Sequence, residues 1–169
     1  MTVLPILKHP NSLLRQKSAQ VEEFTPELAA FAEDMKETML AAPGAGLAAP
    51  QVGKLIRMIV MDASDDDADY GSTVLALVNP EITLSEGKML YEEGCLSVND
   101  YKAKVKRFAR LQVKAQDACG QPFSLDYEGR RAVILQHEID HLDGVLFIDH
   151  LSRLKQELYN RQLKRNSKK

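Results

Sequence analysis

Hydrophobic positions recur at helical spacing early in this chain. Thr25-Pro26-Glu27 is a typical helix start, with a capping threonine and a proline at the first helical position. Residues three or four apart share one side of a helix. The predicted helix, which should end by Pro43-Gly44, carries four apolar side chains on one face: Leu28, Phe31, Met35 and Met39.

Two further helical segments are predicted in the last third of the chain. Arg130–Leu142 is apolar on every side over Ala132–Leu135, so this helix is expected to be mostly buried. Gly144 follows as a stop signal. The final segment has three leucines on one face, and its polar, basic end is expected to fray. These leucines are Leu151, Leu154 and Leu158.

Short β-rich runs fill the middle of the chain. Asn79-Pro80 is expected to end one strand, and Ser85-Glu86-Gly87 to form a turn between two others. We therefore expect an α+β fold of one domain, residues 1–169, with mostly antiparallel sheets packed around a buried central helix and a helix near each end. The predicted strands are Leu55–Met61, Thr73–Val78, Ile82–Leu84, Met89–Tyr91, Val105–Ala115 and Phe123–Tyr127.

Composition and charge narrow the class of protein. The chain is 44% hydrophobic and 27% charged, has no apolar run near the roughly 20 residues of a membrane span, and begins without a signal-peptide pattern. Its two cysteines are too few for a disulfide scaffold. We expect a cytoplasmic monomer with no membrane or DNA partner. Residues 152–169 carry a net charge of +6 within a total of −2, which indicates either contact with ribosomal RNA or a solvated basic tail.

The buried helix contains an H-E-x-x-H pattern. His137 and His141 are four residues apart, so both imidazoles can reach one cation, and Glu138 can reach a water beside it as a general base. The alternative is a pair of ordinary histidines with an incidental glutamate. Unpaired polar groups are costly in a buried helix, which favours the metal site.

A catalytic metal site needs a third ligand. One class of zinc endopeptidase would place a histidine at Phe147, and His150 lies three residues too far along the chain. Another class uses a downstream glutamate, for which only Glu157 in the basic tail remains. Upstream, Cys95 follows a predicted strand, and a thiolate is a good ligand for iron or zinc. Cys95 is the best candidate, and a zinc endopeptidase is the alternative.

Other segments give weaker signals. The small-residue stretch Gly44–Gly53 lacks the features of a phosphate-binding loop, and by itself it indicates a structural loop that a backbone or ligand can approach closely. The aspartate-rich run Asp62–Asp69 lacks a calcium-loop pattern and is expected to be solvated. Cys119 lies in a predicted turn and is expected to be an ordinary thiol.

Three motifs in order resemble those of the peptide deformylases: Gly44–Gln51, Glu93–Ser97 and Gln136–His141. The resemblance covers nearly the whole chain and implies hydrolysis of the N-formyl group of formyl-methionine on nascent peptides. It implies that Cys95, His137 and His141 bind the metal, usually Fe²⁺, with Zn²⁺ or Ni²⁺ able to substitute. It also implies that Glu138 is the general acid/base and that the Gln51 amide and the Leu96 N–H stabilise the oxyanion.

The resemblance also suggests how the substrate binds. The peptide is expected to run along Gly44, Ala45 and Gly46, and the formyl-methionine side chain to enter an apolar pocket. The residues expected to line these subsites are Tyr91, Glu93, Gly94, Val133, Ile134 and His137. Three positions depart from the common family pattern and put substrate preferences in doubt: Ala45, Asn99 and Lys102.

Overall fold

Three α-helices and seven β-strands make up the fold in the computed structural model, which describes residues 1–169. The helices are α1 (Pro26–Ala41), α2 (Gly129–Leu142) and α3 (Arg153–Ser167). The strands are β1 (Gly46–Ala48), β2 (Met58–Asp62), β3 (Val74–Glu86), β4 (Met89–Cys95), β5 (Val98–Arg107), β6 (Arg110–Gln116) and β7 (Pro122–Glu128). Short 3-10 helices span Ser12–Arg15, Ala49–Val52 and Phe147–His150.

The strands form two antiparallel sheets. One has five strands in the order β1-β2-β3-β6-β7, and the other is the β4–β5 pair. Ile59 and Met61 of β2 pack in the core that contains α2, whereas Met58 and Val60 pack in the core that contains α1. Because side chains alternate along a strand, α1 and α2 cover opposite faces of the large sheet. The predicted α+β fold is confirmed.

The central helix is buried as predicted. Ten of the fourteen residues of α2 are buried, and it packs against β1, β2, β6 and β7. It begins after Glu128 without a side-chain cap, at Gly129, whose φ of +62° is in the left-handed region. Burial of its apolar side chains therefore stabilises α2 more than local end signals do.

The predicted end of a strand at Asn79-Pro80 is wrong. Strand β3 runs through both residues, because an irregularity in its pairing with β6 between Val78 and Glu81 accommodates the missing proline N–H. Asn79 has a φ of +50°, and its side chain bonds the backbone N–H and C=O of Val21 at 2.8 and 2.9 Å. The turn between β3 and β4 connects the large sheet to the small one, since β3 pairs with β6 and β4 pairs with β5.

The prediction of one strand over Val105–Ala115 is wrong as well. The segment contains parts of two strands, β5 and β6, which are separated at Phe108-Ala109 and belong to different sheets. The stretch that suggested a loop after Gly44 contains β1 and a 3-10 turn.

Asp62 was expected to be solvated, but it is 1% exposed at the end of β2 and pairs with Arg130 at 2.9 Å. Cys119 is exposed and free, as expected.

The C-terminal segment differs from prediction in its buried face. Leu154 and Leu158 are 65% and 51% exposed, while Tyr159 is buried and Leu163 packs beside it. Helix α3 continues to Ser167, so the basic end is helical rather than frayed. None of the three helices combines the length and apolarity that a bilayer crossing requires.

Candidate metal centre

Cys95, His137 and His141 come together where the end of β4 meets α2. The three ligand atoms lie within 4.8 Å of one another, and Cys95 Sγ is 3.3 Å from His141 Nε2. Tetrahedral Zn–S and Zn–N bonds would separate such atoms by about 3.4–3.6 Å. The sulfur is partly exposed and both histidines are buried, so the set fits a divalent metal that is reached from one side.

A buried ion pair orients His137. Its Nδ1 lies 2.8 Å from Glu93 Oε1, which directs Nε2 towards the other two ligands. Arg107 binds both oxygens of the Glu93 carboxylate, at 2.7 and 2.9 Å, and also contacts Asp140 at 2.7 Å. Burial raises the pKa of Glu93, but hydrogen bonds from Arg107 and His137 outweigh this and hold that pKa below its usual value. Glu93 is therefore ionised at neutral pH.

The surroundings shift the pKa values of the two histidines in opposite directions. Burial lowers the pKa of His141 well below its usual value, which favours the neutral form that binds metals. Burial also acts to lower the pKa of His137, but hydrogen bonds to Cys95 and Glu93 raise it well above the usual value.

Glu138 lies beside the ligands with its carboxyl group buried. It is 4% exposed, and burial raises its pKa to about 7. Its Oε2 and the Nδ1 of His141 have no hydrogen-bond partner. Unpartnered polar atoms at such depth are uncommon in folded proteins, and here both belong to the set of groups suited to a metal and water site.

The Gln51 amide faces Cys95 in a defined orientation. Its oxygen accepts the Ala48 N–H at 2.8 Å, so its nitrogen is the donor towards Ser97 Oγ at 3.1 Å and Cys95 Sγ at 3.6 Å. The Leu96 N–H is used in no hydrogen bond within the protein. The Gln51 amide and the Ser97 N–H, which lies 3.4 Å from Cys95 Sγ, therefore both donate towards the sulfur, and the Leu96 N–H on the same turn remains available.

A cleft of about 440 Å³ opens onto this centre. Every residue that the sequence suggested for substrate contact lines this cleft, including Gly44, Ala45, Gly46, Tyr91, Glu93, Gly94, Val133 and Ile134. Lys102 and Arg130 line it as well. His141 is buried and does not line the cleft. The Glu93 carboxylate is turned towards Arg107 and His137.

The two positions at which a zinc endopeptidase would carry its third metal ligand do not lie with His137 and His141. Phe147 is 1% exposed in an apolar core and stacks on the His137 ring with centroids 6.0 Å apart. Glu157 is exposed on α3, where it pairs with Arg153. Neither replaces Cys95, and the endopeptidase alternative is not favoured.

Arg107 is the main residue of this centre that no pattern in the sequence indicated. It is a basic residue in an alternating strand, and only its two acidic partners distinguish it from a surface side chain. Asp140, which also accepts from His150 at 2.8 Å, lies inside the H-E-x-x-H pattern but at one of its unspecified positions. Ser97 lay in a recognised motif without a role.

Comparisons with known proteins agree with this geometry. A family model described as polypeptide deformylase matches residues 3–157. The chain is 44% identical to the peptide deformylase of Desulfotalea psychrophila over 98% of this chain and 97% of that one, and 48% identical to that of Brucella suis biovar 1 over 98% and 94%. It matches the crystal structure of a peptide deformylase from Legionella pneumophila with a TM-score of 0.90 and 41% identity, over 99% of this chain and 96% of that one. The chain therefore belongs to the polypeptide deformylase family, metallohydrolases that remove the N-formyl group from nascent peptides.

Proposed function

We propose that deformylation takes place at this centre, with Cys95, His137 and His141 holding one divalent metal ion and Glu138 acting as the general acid/base. The observation that carries the proposal is the convergence of three ligand atoms within 4.8 Å of one another, beside a buried carboxyl group. Residues 1–169 together form one catalytic domain.

The proposed reaction is hydrolysis of a formamide. When bound, the metal would supply Lewis acidity, which lowers the pKa of a nearby water and polarises a carbonyl. Glu138 accepts a proton from the attacking water and then delivers it to the leaving amine. The C–O bond forms and the C–N bond breaks, which releases formate and a free amino terminus. Burial raises the pKa of the Glu138 carboxyl, and a carboxyl pKa raised towards neutrality favours both proton transfers near neutral pH.

Gln51 and Leu96 are proposed to stabilise the charge that develops on the formyl oxygen. The Gln51 amide nitrogen is held towards the sulfur because its oxygen is occupied by Ala48. The Leu96 N–H is free of protein acceptors. Donors that are oriented before the reaction stabilise an oxyanion without reorganisation.

The substrate backbone is proposed to bind along Gly44–Gly46. Strand β1 is an edge of the large sheet, so an extended peptide can pair with it. Val133, Ile134 and Tyr91 line the cleft and would surround the formyl-methionine side chain with His137. Gly94 and Ala45 lie on the same walls. For Glu93, whose carboxylate is taken by two protein partners, we propose that it positions His137.

We propose Fe²⁺ as the metal in the cell, with Zn²⁺ or Ni²⁺ able to substitute. One thiolate and two imidazoles suit all three ions, and the family resemblance favours iron. Elemental analysis of protein purified without oxygen should find about one iron per chain. Active protein purified from cells in this way that contains zinc and no iron would contradict iron as the metal in the cell.

The test of the proposed roles is formate release from a formyl-methionyl peptide by iron-loaded protein. Glu138→Gln should keep its metal and lose activity by about 10²–10⁴-fold, whereas Glu157→Gln, far from the cleft, should match the wild type. Cys95→Ala should lose the metal. Retained metal in Cys95→Ala, or an active Glu138→Gln, would overturn the assignment.

We also propose that the protein is a cytoplasmic monomer whose basic α3 contacts ribosomal RNA. The motivation is the net charge of +6 over residues 152–169, since phosphate contacts by basic side chains dominate such binding. Deleting α3 would remove the buried Tyr159, so glutamine at Arg161, Lys164 and Arg165 is the better test. Co-sedimentation with ribosomes at low salt should fall, but not for glutamine at Lys104, Lys106 and Lys114. Equal losses in both variants would contradict a specific role for α3.

A further inference from the structure

A short N-terminal segment, residues Leu7–His9, joins the two loops that carry Gln51 and Cys95. The Leu7 N–H donates to the Gln51 carbonyl at 2.7 Å, and the His9 N–H donates to the Ser97 carbonyl at 2.8 Å. Between them, the Lys8 ammonium donates to the Leu96 carbonyl. We refer to residues Leu7–His9 as the N-terminal strap.

The strap connects parts of the site that no strand pairing links. Gln51 follows β1 in the five-stranded sheet, and Cys95 ends β4 in the two-stranded sheet. Their direct contacts are side-chain bonds from the Gln51 amide to Ser97 Oγ and Cys95 Sγ. The two backbone bonds of the strap therefore add a second constraint on the distance between these loops.

Lys8 acts on a peptide group that also contacts the candidate metal ligand. The Leu96 carbonyl and the Ser97 N–H belong to one peptide group, and that N–H lies 3.4 Å from Cys95 Sγ as a donor. A cation at the carbonyl polarises the peptide and strengthens its N–H as a donor. The same bond restrains the turn on which the Leu96 N–H is placed.

We propose that the N-terminal strap is a positioning element of the centre, in which Lys8 holds the Cys95–Leu96–Ser97 turn in register with the Gln51 amide. This inference rests on the proposed roles of Cys95, Gln51 and Leu96. Lys8 touches neither the ligand atoms nor the proposed substrate path along Gly44–Gly46. It acts through the turn, so its effect should appear in the rate of the reacting complex rather than in substrate affinity.

The test compares Lys8→Met, which keeps the aliphatic stem, with Lys8→Arg, which keeps a cationic donor. Lys17→Met is the matched control, since Lys17 is an exposed lysine outside the cleft. We expect kcat to fall by about threefold to tenfold in Lys8→Met with KM unchanged, the range for a solvent-accessible bond to a charged group. Lys8→Arg should recover most of the loss.

Two measurements do not depend on turnover. In cobalt-loaded protein, the thiolate-to-metal absorption band should shift in Lys8→Met and return in Lys8→Arg, because the hydrogen bond to the sulfur changes. Amide hydrogen exchange at His9 and Ser97 should become faster in Lys8→Met, because the strap and the turn open more often. Lys17→Met should show neither change.

Wild-type values of kcat, absorption band and exchange rates in Lys8→Met would overturn the proposal. A raised KM with unchanged kcat would also overturn it, because Lys8 would then act on the substrate. If the wild type itself released no formate, the proposed function would fail, while the absorption and exchange measurements would still decide the role of the strap.

Discussion

Gly46 lies so close to Glu138 that even a methyl group in its place would collide with the carboxyl side chain. A Cβ built at Gly46 would be 2.5 Å from Glu138 Oε1, 2.6 Å from Cγ and 2.7 Å from Cδ. Ordinary contacts of this kind are about 3.5–4.0 Å. In Gly46→Ala, the Glu138 side chain must therefore move by about 1 Å, because β1 is held in the sheet by its pairing with β2.

The expected cost follows from the role proposed for Glu138. Displacing a reacting group by about 1 Å can lower the rate by about 10²-fold, which corresponds to about 2.7 kcal/mol in the activation free energy. We expect kcat of Gly46→Ala to fall by about this factor. Metal content should stay near that of the wild type, because the added methyl group is directed at Glu138 rather than at the three ligands.

The assay is formate release together with metal analysis and thermal unfolding of the same samples. Glu138→Asp provides a matched relief of the collision, since it removes one methylene where Gly46→Ala adds one. If the collision causes the loss, the double variant should be no slower than Glu138→Asp alone, which is a non-additive result typical of contacting residues.

Two outcomes would refute this reasoning. If the losses of the two single variants multiply in the double variant, then Gly46 and Glu138 act independently and the contact does not cause the effect. If Gly46→Ala retains wild-type kcat, then Glu138 either relaxes without cost or does not take part in proton transfer.

Three further predictions concern charge and metal. Glu93→Gln should weaken metal binding by about 10–100-fold in chelator competition, because it removes the charged acceptor of His137 and the partner of buried Arg107; unchanged affinity would contradict the positioning role. Burial raises the pKa of Asp62, but hydrogen bonds from Ser64 and Arg130 hold that pKa below its usual value of 3.8. The ionised carboxylate therefore stabilises the fold above that value and loses this effect as pH falls through the lower folded pKa. In urea unfolding, the stability difference between wild type and Asp62→Asn should be constant above about pH 5 and shrink below about pH 4; a difference that grows on acidification would contradict the sign. Metal removal should lower the thermal midpoint, and metal at 1,000 times its dissociation constant should restore about 4 kcal/mol of unfolding free energy, unless the ligands bind metal equally well when unfolded.

Much of the fold could be predicted because its signals are local. The cap and proline at Thr25-Pro26 and the spacing of Met35 and Met39 mark α1, and the continuous apolar run before His137 marks a buried helix. The strands in the middle were less predictable. Asn79-Pro80 reads as a strand end, yet the irregular pairing between β3 and β6 and the contacts of Asn79 with Val21 allow the strand to continue.

The sequence by itself determined the kind of centre, because the H-E-x-x-H spacing directs two imidazoles to one side of a helix and a cysteine motif supplies a third ligand type. Only the tertiary structure decided how that centre is held. Arg107 meets Glu93, 14 residues away, across the β4–β5 pair, and Lys8 meets Leu96 across 88 residues. Such partners are set by which strands pair and which loops come together. That depends on burial over the whole chain, and no short stretch of residues encodes it.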